Sequence, residues 1–253
     1  MRPSLPWSAA ALAATAAVAS ALPGLAEPPK TGPKPSIVLE LFTSQGCSSC
    51  PPADALLGKM TDQPGVVTLS YSVDYWNYLG WRDTLSSPAN SERQRDYARV
   101  RGDGKVYTPQ LVVDGMIHVN GSNEAAMEMA MHKAGEQLSK AKVPIAMHAE
   151  TDTLVIDIGA APESSDKRAA TVWLALAKDK ETVSITRGEN RGQRITYHHP
   201  VRGLSPVGMW KGDAMTIRLP LKDLKTKGGD RLFALLQVEN SGPIIGVAAY
   251  ARK

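Results

Sequence analysis

Two cysteines occur in the 253 residues, Cys47 and Cys50, in the run Gly46-Cys47-Ser48-Ser49-Cys50-Pro51. With no other thiol to pair with, they can close on each other reversibly, but they cannot build a four-cysteine zinc site or a multi-bridge framework. The chemistry this spacing permits is thiol–disulfide exchange. A nucleophilic thiolate needs a lowered pKa, and a helix N-terminus lowers it through unpaired N–H groups and the helix dipole. Cys47 is expected to cap such a helix and to attack; Cys50, one turn in, is expected to resolve the mixed disulfide. The plain alternative is a stabilising bridge, a weak role because closing so short a loop removes little unfolded-state entropy.

The flanking sequence supplies the elements such a pair needs. Ser36–Phe42 reads as a mostly buried strand, and residues 53–60 carry apolar side chains at 53, 56, 57 and 60, a helical spacing. Pro51-Pro52 is tolerable in a first turn, where N–H groups lack partners. With Cys47 as the cap, Pro52 lies at the edge of that allowance. Gly65–Val73 is a second strand, parallel to the first through a right-handed crossover. After an aromatic loop, residues 86–101 read as a charged helix opening at Ser86-Ser87-Pro88. Tyr107–Val119 holds two β-rich runs around Asp114-Gly115, a hairpin signal. A helix from Gly121 to about Lys142 follows, with Ser122 or Asn123 as its cap.

From Val143 onward the pattern becomes all-β. Val143–Glu150, Thr153–Ala160, Ala169–Ala177, Thr182–Thr186, Arg194–His199, Ala214–Leu219, Arg231–Val238 and Ile244–Tyr250 read as strands. Short strands without long helices predict a sandwich-like domain. The chain therefore divides into a signal at 1–26, a proline-rich leader at 27–35, an α/β domain at 36–142 with an insertion at about 74–105, and a β-sandwich-like domain at 143–253.

Residues 1–26 carry Arg2 as their sole charge, an Ala-rich apolar stretch from Trp7 to Leu22, and small residues at Gly24 and Ala26. That pattern is a secretory signal cleaved after about Ala26, too short and too weakly apolar to span a bilayer. The expected location is extracellular, or periplasmic in a Gram-negative host, where disulfides persist. The remainder holds 28 Lys and Arg against 25 Asp and Glu, a dispersed balance that gives no reason to expect nucleic acid as a partner.

Three segments together carry a family resemblance: Leu39–Asp54, with its Thr43-Ser44-Gln45-Gly46-Cys47-Ser48-Ser49-Cys50-Pro51-Pro52 core; Val73-Asp74-Tyr75-Trp76-Asn77-Tyr78-Leu79-Gly80-Trp81; and Tyr107-Thr108-Pro109-Gln110. They resemble the secreted thioredoxin-like family catalogued as domain of unknown function 1223. The resemblance implies a thioredoxin-like fold in the order β-α-β, helical insertion, β-β-α, and supplies no established substrate. It implies that Cys47 is the nucleophile, Cys50 the resolving thiol, and Pro109 a cis-proline beside the pair. The proline ring would shield the sulfurs, and the Thr108 backbone would pair with a substrate strand. Thr108 before the proline looks like the disulfide isomerase branch. Glu40 is the candidate proton shuttle for Cys50, although it stands one residue further from Cys47 than the pattern expects. One residue flips a strand side chain to the other face, and a bulge at Ser44-Gln45-Gly46 is needed to restore it.

Other residues carry two readings each. Tyr75, Trp76, Tyr78 and Trp81 are a peptide-contacting wall or the packing that seats the insertion. Arg93, Arg95, Arg99 and Arg101 are a solvated helix face or a positive field on the thiolate. His118, His132, His148, His198 and His199 show no metal spacing, though Cys47 and Cys50 with a histidine are soft enough for Cu(I). The expected activity is an exported thiol–disulfide oxidoreductase acting on protein or small-molecule disulfides of the envelope. It would work with an unidentified redox partner and no cofactor beyond its cysteines. The alternatives are an envelope binding module on a thioredoxin scaffold and a copper-handling protein.

Overall fold

The computed structural model describes Met1 and residues 37–163, 169–225 and 229–252. The expected signal and leader lie outside the described residues. The chain divides into two units, Met1–Gly32 and Pro33–Lys253, and every described helix and strand belongs to the second. No helix among the described residues is long and apolar enough to cross a membrane.

The first half runs β1 (Ile37–Thr43), α1 (Pro51–Met60), β2 (Val66–Ser72), α2 (Pro88–Arg101), β3 (Gln110–Val113), β4 (Ile117–Asn120) and α3 (Glu124–Leu138). Its four strands form one sheet in the order β2-β1-β3-β4, with β1 and β2 parallel and the other pairs antiparallel. Local chemistry sets the boundaries. Ser87 caps α2 by accepting from the Asn90 N–H, with Pro88 in its first turn, and Gly102 ends it at φ 75°. Asn123 caps α3 by accepting from the Ala126 N–H. Asp114 and Gly115 both take positive φ, as a two-residue hairpin turn requires.

The second half is β5 (Ile145–Glu150), β6 (Thr153–Ile158), β7 (Ala170–Ala177), β8 (Lys180–Ser184), β9 (Arg194–His198), β10 (Val201–Trp210), β11 (Met215–Pro220), a short α4 (Leu221–Lys225), β12 (Arg231–Val238) and β13 (Ile244–Ala251). These strands make a four-stranded sheet β10-β7-β12-β13, a three-stranded sheet β11-β6-β5 and a separate β8–β9 hairpin. Strand β10 is absent from the sequence reading because Gly203, Pro206 and Gly208 interrupt its pattern. It survives as an edge strand whose register shifts fall at Val201/Gly203 and Pro206/Gly208.

Period-2 alternation sorts the core into layers. Leu39, Leu41, Leu111 and Val113 face α1 and α3. On the other face of the same sheet, Val38, Phe42, Val67, Leu69 and Val112 pack against Ala175, Phe233, Leu235 and Val247 of the four-stranded sheet. That second sheet turns Val172, Leu174, Leu232 and Leu236 toward Leu154, Ile156 and Ile217 of the three-stranded one. The two halves of the chain thus share one core cluster.

Candidate functional site

The Cys47–Cys50 disulfide is closed, with Cα atoms 5.4 Å apart. Cys50, not Cys47, is the N-cap of α1, so the expectation for Cys47 is corrected. Proline explains the shift. Pro51 and Pro52 take the first two helical positions, where their missing N–H groups cost least. The first helical N–H groups, of Ala53 and Asp54, both go to the Cys50 carbonyl. Cys47 therefore sits in the turn ahead of the helix, its carbonyl accepting from the Cys50 N–H at 3.2 Å. The local partner of its sulfur is the Ser49 hydroxyl, 3.4 Å from Cys47 Sγ.

The Thr108–Pro109 peptide is cis. Trp76 joins this segment to the cysteine loop: its indole N–H donates to Thr108 Oγ1 at 2.8 Å, while its Cβ and carbonyl lie against Gly46. A Cβ built on Gly46 meets Trp76 Cβ at 3.1 Å, so a larger residue there would push the indole away. Gly121 makes a second close approach. A Cβ there would meet Leu41 Cδ1 at 2.6 Å, Ala53 at 3.2 Å and Pro109 at 3.5 Å, which places Pro109 beside the first turns of α1. Trp81 frames the other side, donating to Gln45 Oε1 at 2.8 Å. Tyr75 donates to Gln94 Oε1. Of the four loop aromatics, Tyr78 alone is turned out, at 77% exposure.

Glu40 is not brought to the cysteines. It shares a face of β1 with Val38 and Phe42, opposite the Leu39 and Leu41 side chains that meet α1. There it is fully buried, accepts from Arg93 Nε at 2.8 Å and from the Tyr97 hydroxyl, and anchors α2. The proton-shuttle role is corrected to a structural one: no bulge reverses the strand, and β1 pairs with β2 in unbroken register from Ile37 to Thr43. Arg93 is correspondingly no part of a solvated face. It also donates to Gln237 and Tyr97 and stacks over the Tyr97 ring. Arg95 and Arg99 are exposed and pair with Glu92 and Asp96.

Buried carboxyls instead come from Asp54 and Asp83. Asp54 lies one turn beyond Cys50 on α1, accepts from the Thr43 hydroxyl at 3.1 Å, and has a second oxygen with no hydrogen-bond partner. Burial pushes its pKa well up, and the nearby Asp83 adds to the rise. Asp83 accepts from the Gln45 and Leu85 N–H groups, both at 2.8 Å, and burial raises it too. Tyr197 of β9 sits against the same pair, its hydroxyl unpartnered and its pKa raised by burial. Asp54 was legible as a carboxylate inside the apolar stripe at 53, 56, 57 and 60; Asp83 gave no such signal.

The fourth side of the site comes from the second half of the chain. Asn190, in the turn between β8 and β9, donates to the carbonyls of Cys47 (2.8 Å) and Gln45 (3.0 Å). Glu189 accepts from the Ser48 N–H at 3.3 Å. These contacts cross more than 140 residues of sequence, so no local pattern announces them. Among the described residues, no group of three or more His, Cys, Asp or Glu is arranged to hold a metal ion. A cavity of about 640 Å³ between α2 and β10, lined by Tyr71, Asn90, Trp173 and Arg202, is bounded by no residue of the cysteine loop.

With this geometry in place, the comparisons with known proteins give a family. Residues 38–237 match the model described as "Protein of unknown function (DUF1223)". The chain belongs to the DUF1223 family. This DUF1223 protein is similar to a crystal structure of an Agrobacterium tumefaciens protein, at 38% identity and a TM-score of 0.76, covering 86% of this chain and 95% of that one. It also shares its fold with HBP35 of Porphyromonas gingivalis, at 14% identity and a TM-score of 0.58, covering 87% and 76% of the two chains. Among proteins of curated function, none matches.

Proposed function

We propose that this DUF1223 protein is an exported thiol–disulfide oxidoreductase built on a thioredoxin-type domain. The observation that carries the reading is the Cys47–Cys50 disulfide at the start of α1, at the same end of the sheet as cis-Pro109. The sheet order β2-β1-β3-β4, with α1 and α3 on one face, supports the fold assignment. Export is supported by the character of residues 1–26, because a disulfide persists outside the cytosol.

The exchange runs in two steps. A thiolate of a partner dithiol attacks Cys47 Sγ, a new S–S bond forms, and the Cys47–Cys50 bond breaks with Cys50 leaving as a thiolate that takes up a proton. The partner's second thiol then loses its proton and attacks the mixed disulfide. Its own disulfide closes, and Cys47 is released and protonated. Two electrons pass from partner to protein, and the reverse sequence, with Cys47 attacking and Cys50 resolving, reduces a substrate disulfide. Ser49 Oγ, 3.4 Å from Cys47 Sγ, donates to the Cys47 thiolate as the second step releases it, which compensates for the two N–H groups that proline removes.

The test is a trap. Cys50→Ser removes the thiol that resolves a mixed disulfide formed when Cys47 attacks a partner disulfide, so such adducts with envelope partners should accumulate and disappear on reduction. Cys47→Ser should abolish them. Absence of any Cys47-dependent adduct would remove the oxidoreductase reading. The binding-module reading draws on one observation, that both sulfurs are buried, with Cys47 at 2% exposure and Cys50 at 0%.

A further inference from the structure

Cys47 is buried, and the β8–β9 hairpin lies against its loop. Among the described residues, the strands of this hairpin pair only with each other, and a two-stranded ribbon alone is marginally stable in water. Its position therefore depends on what it docks against. Ile185 and Ile195 at its turn end, with Tyr197, pack against Leu85 and Trp81, while at the other end His199 bonds Thr68 and Ser70 of β2. Its tip closes over the cysteine loop between Gly188 and Gly192, both at positive φ, with Gly188 against Trp81 Cβ.

Asn190 is the centre of that tip. It is 1% exposed, and its amide oxygen accepts from Gln193 Nε2 at 3.1 Å. That bond aims the amide nitrogen at the carbonyls of Gln45 and Cys47, the two residues flanking Gly46. Both donor hydrogens of the amide are used on the redox loop, and Glu189 adds the Ser48 N–H. Two loops from distant parts of the chain are thus bonded directly beside the disulfide.

We propose that Asn190 is a positioning and specificity-determining residue of the redox pair: it latches the β8–β9 hairpin onto the Cys47 loop, so that small thiols reach Cys47 more readily than bulky protein dithiols. The proposal rests on the oxidoreductase reading and gives the second half of the chain a part in the site. The hairpin must lift for a large partner to present its thiolate to Cys47, while a small thiol needs a smaller opening.

The experiment measures rates of disulfide reduction in the full chain by two probes, dithiothreitol and a reduced thioredoxin, and takes their ratio. Asn190→Asp keeps the volume but turns a carboxylate on two carbonyls, and Asn190→Ala removes the side chain. Losing two buried hydrogen bonds should raise the thioredoxin rate relative to the dithiothreitol rate by about tenfold. Charge effects on an incoming thiolate act on both probes and largely cancel in the ratio. The exposed Glu189→Ala should shift the ratio in the same direction by about twofold. Ratios unchanged in the Asn190 variants overturn the proposal. So does an unchanged ratio in Glu189→Ala if the Asn190 variants fail to fold. Equilibrium separates the two claims. A pair that no dithiol reduces in any variant overturns the oxidoreductase reading and the latch with it. A pair reduced at equilibrium with unaltered ratios overturns the latch alone.

Discussion

At the scale of single residues, the site is organised by what proline and burial remove. Pro51 and Pro52 take away two N–H groups that would otherwise face a thiolate, and Cys50 rather than Cys47 becomes the cap. Asp54 is buried one turn further on with one oxygen bonded and one not. Its folded pKa is raised by desolvation, so the folded protein holds this proton to higher pH than the unfolded chain does. The associated stability is complete below the unfolded carboxylate pKa of about 4 and is lost as pH rises through the folded value. Asp54→Asn cannot ionise and still accepts from Thr43. Melting temperature measured against pH should therefore decline less steeply above about pH 4 in Asp54→Asn than in the wild type. Parallel curves would show that Asp54 is not the buried acid responsible. Asp83 shifts in the same direction and should leave a residual slope.

At the scale of elements, Glu40 and Arg93 explain how α2 is held. The ion pair is almost fully excluded from solvent, with Arg93 at 7% and Glu40 at 0% side-chain exposure, and Tyr97 and Gln237 complete its hydrogen bonds. Removing one partner strands a charge in the core. Arg93→Met should lower unfolding stability by about 3–5 kcal/mol in denaturant titration, while leaving the chemistry at Cys47 intact. A loss below about 1 kcal/mol would mean the pair is more hydrated than its burial implies. These same residues show where sequence reasoning reached and where it stopped. The strand–Cys-x-x-Cys–helix order, the Asp114-Gly115 turn, the helix opening at Ser86-Ser87-Pro88 and a cap at Ser122 or Asn123 were legible because each depends on neighbours within a few residues; the structure selects Ser87 and Asn123 as the caps. The offset of Glu40 was legible as well, but its partner was not, because Arg93 comes from a helix that spacing alone assigns to solvent. Strand β10 was hidden by glycine and proline, residues that its edge position and bulges accommodate.

At the scale of the whole molecule, the sheet β10-β7-β12-β13 is apolar on both faces and sits between the first-half sheet and β11-β6-β5. The core cluster it shares with β1, β2 and β3 ties the two halves together, and the β8–β9 hairpin extends that tie to the cysteine loop. The alternation of strand residues accounts for the layers within each half. It could not predict the association between halves, since a period-2 pattern says which face is apolar and not what covers it. The long-range contacts of Asn190 belong to this same class of unreadable information. They bind the backbone of Cys47, the residue most visible in the sequence and nearly hidden in the fold.

The central claim is that Cys47 and Cys50 form a reversible redox couple. An equilibrium titration of the full chain in dithiol/disulfide buffers, read by thiol alkylation, tests it most directly. A reversible couple should give a single two-electron transition at a potential between about −120 and −270 mV, the range of thioredoxin-type exchange proteins. A pair that stays oxidised below about −300 mV, as structural disulfides do, would contradict it.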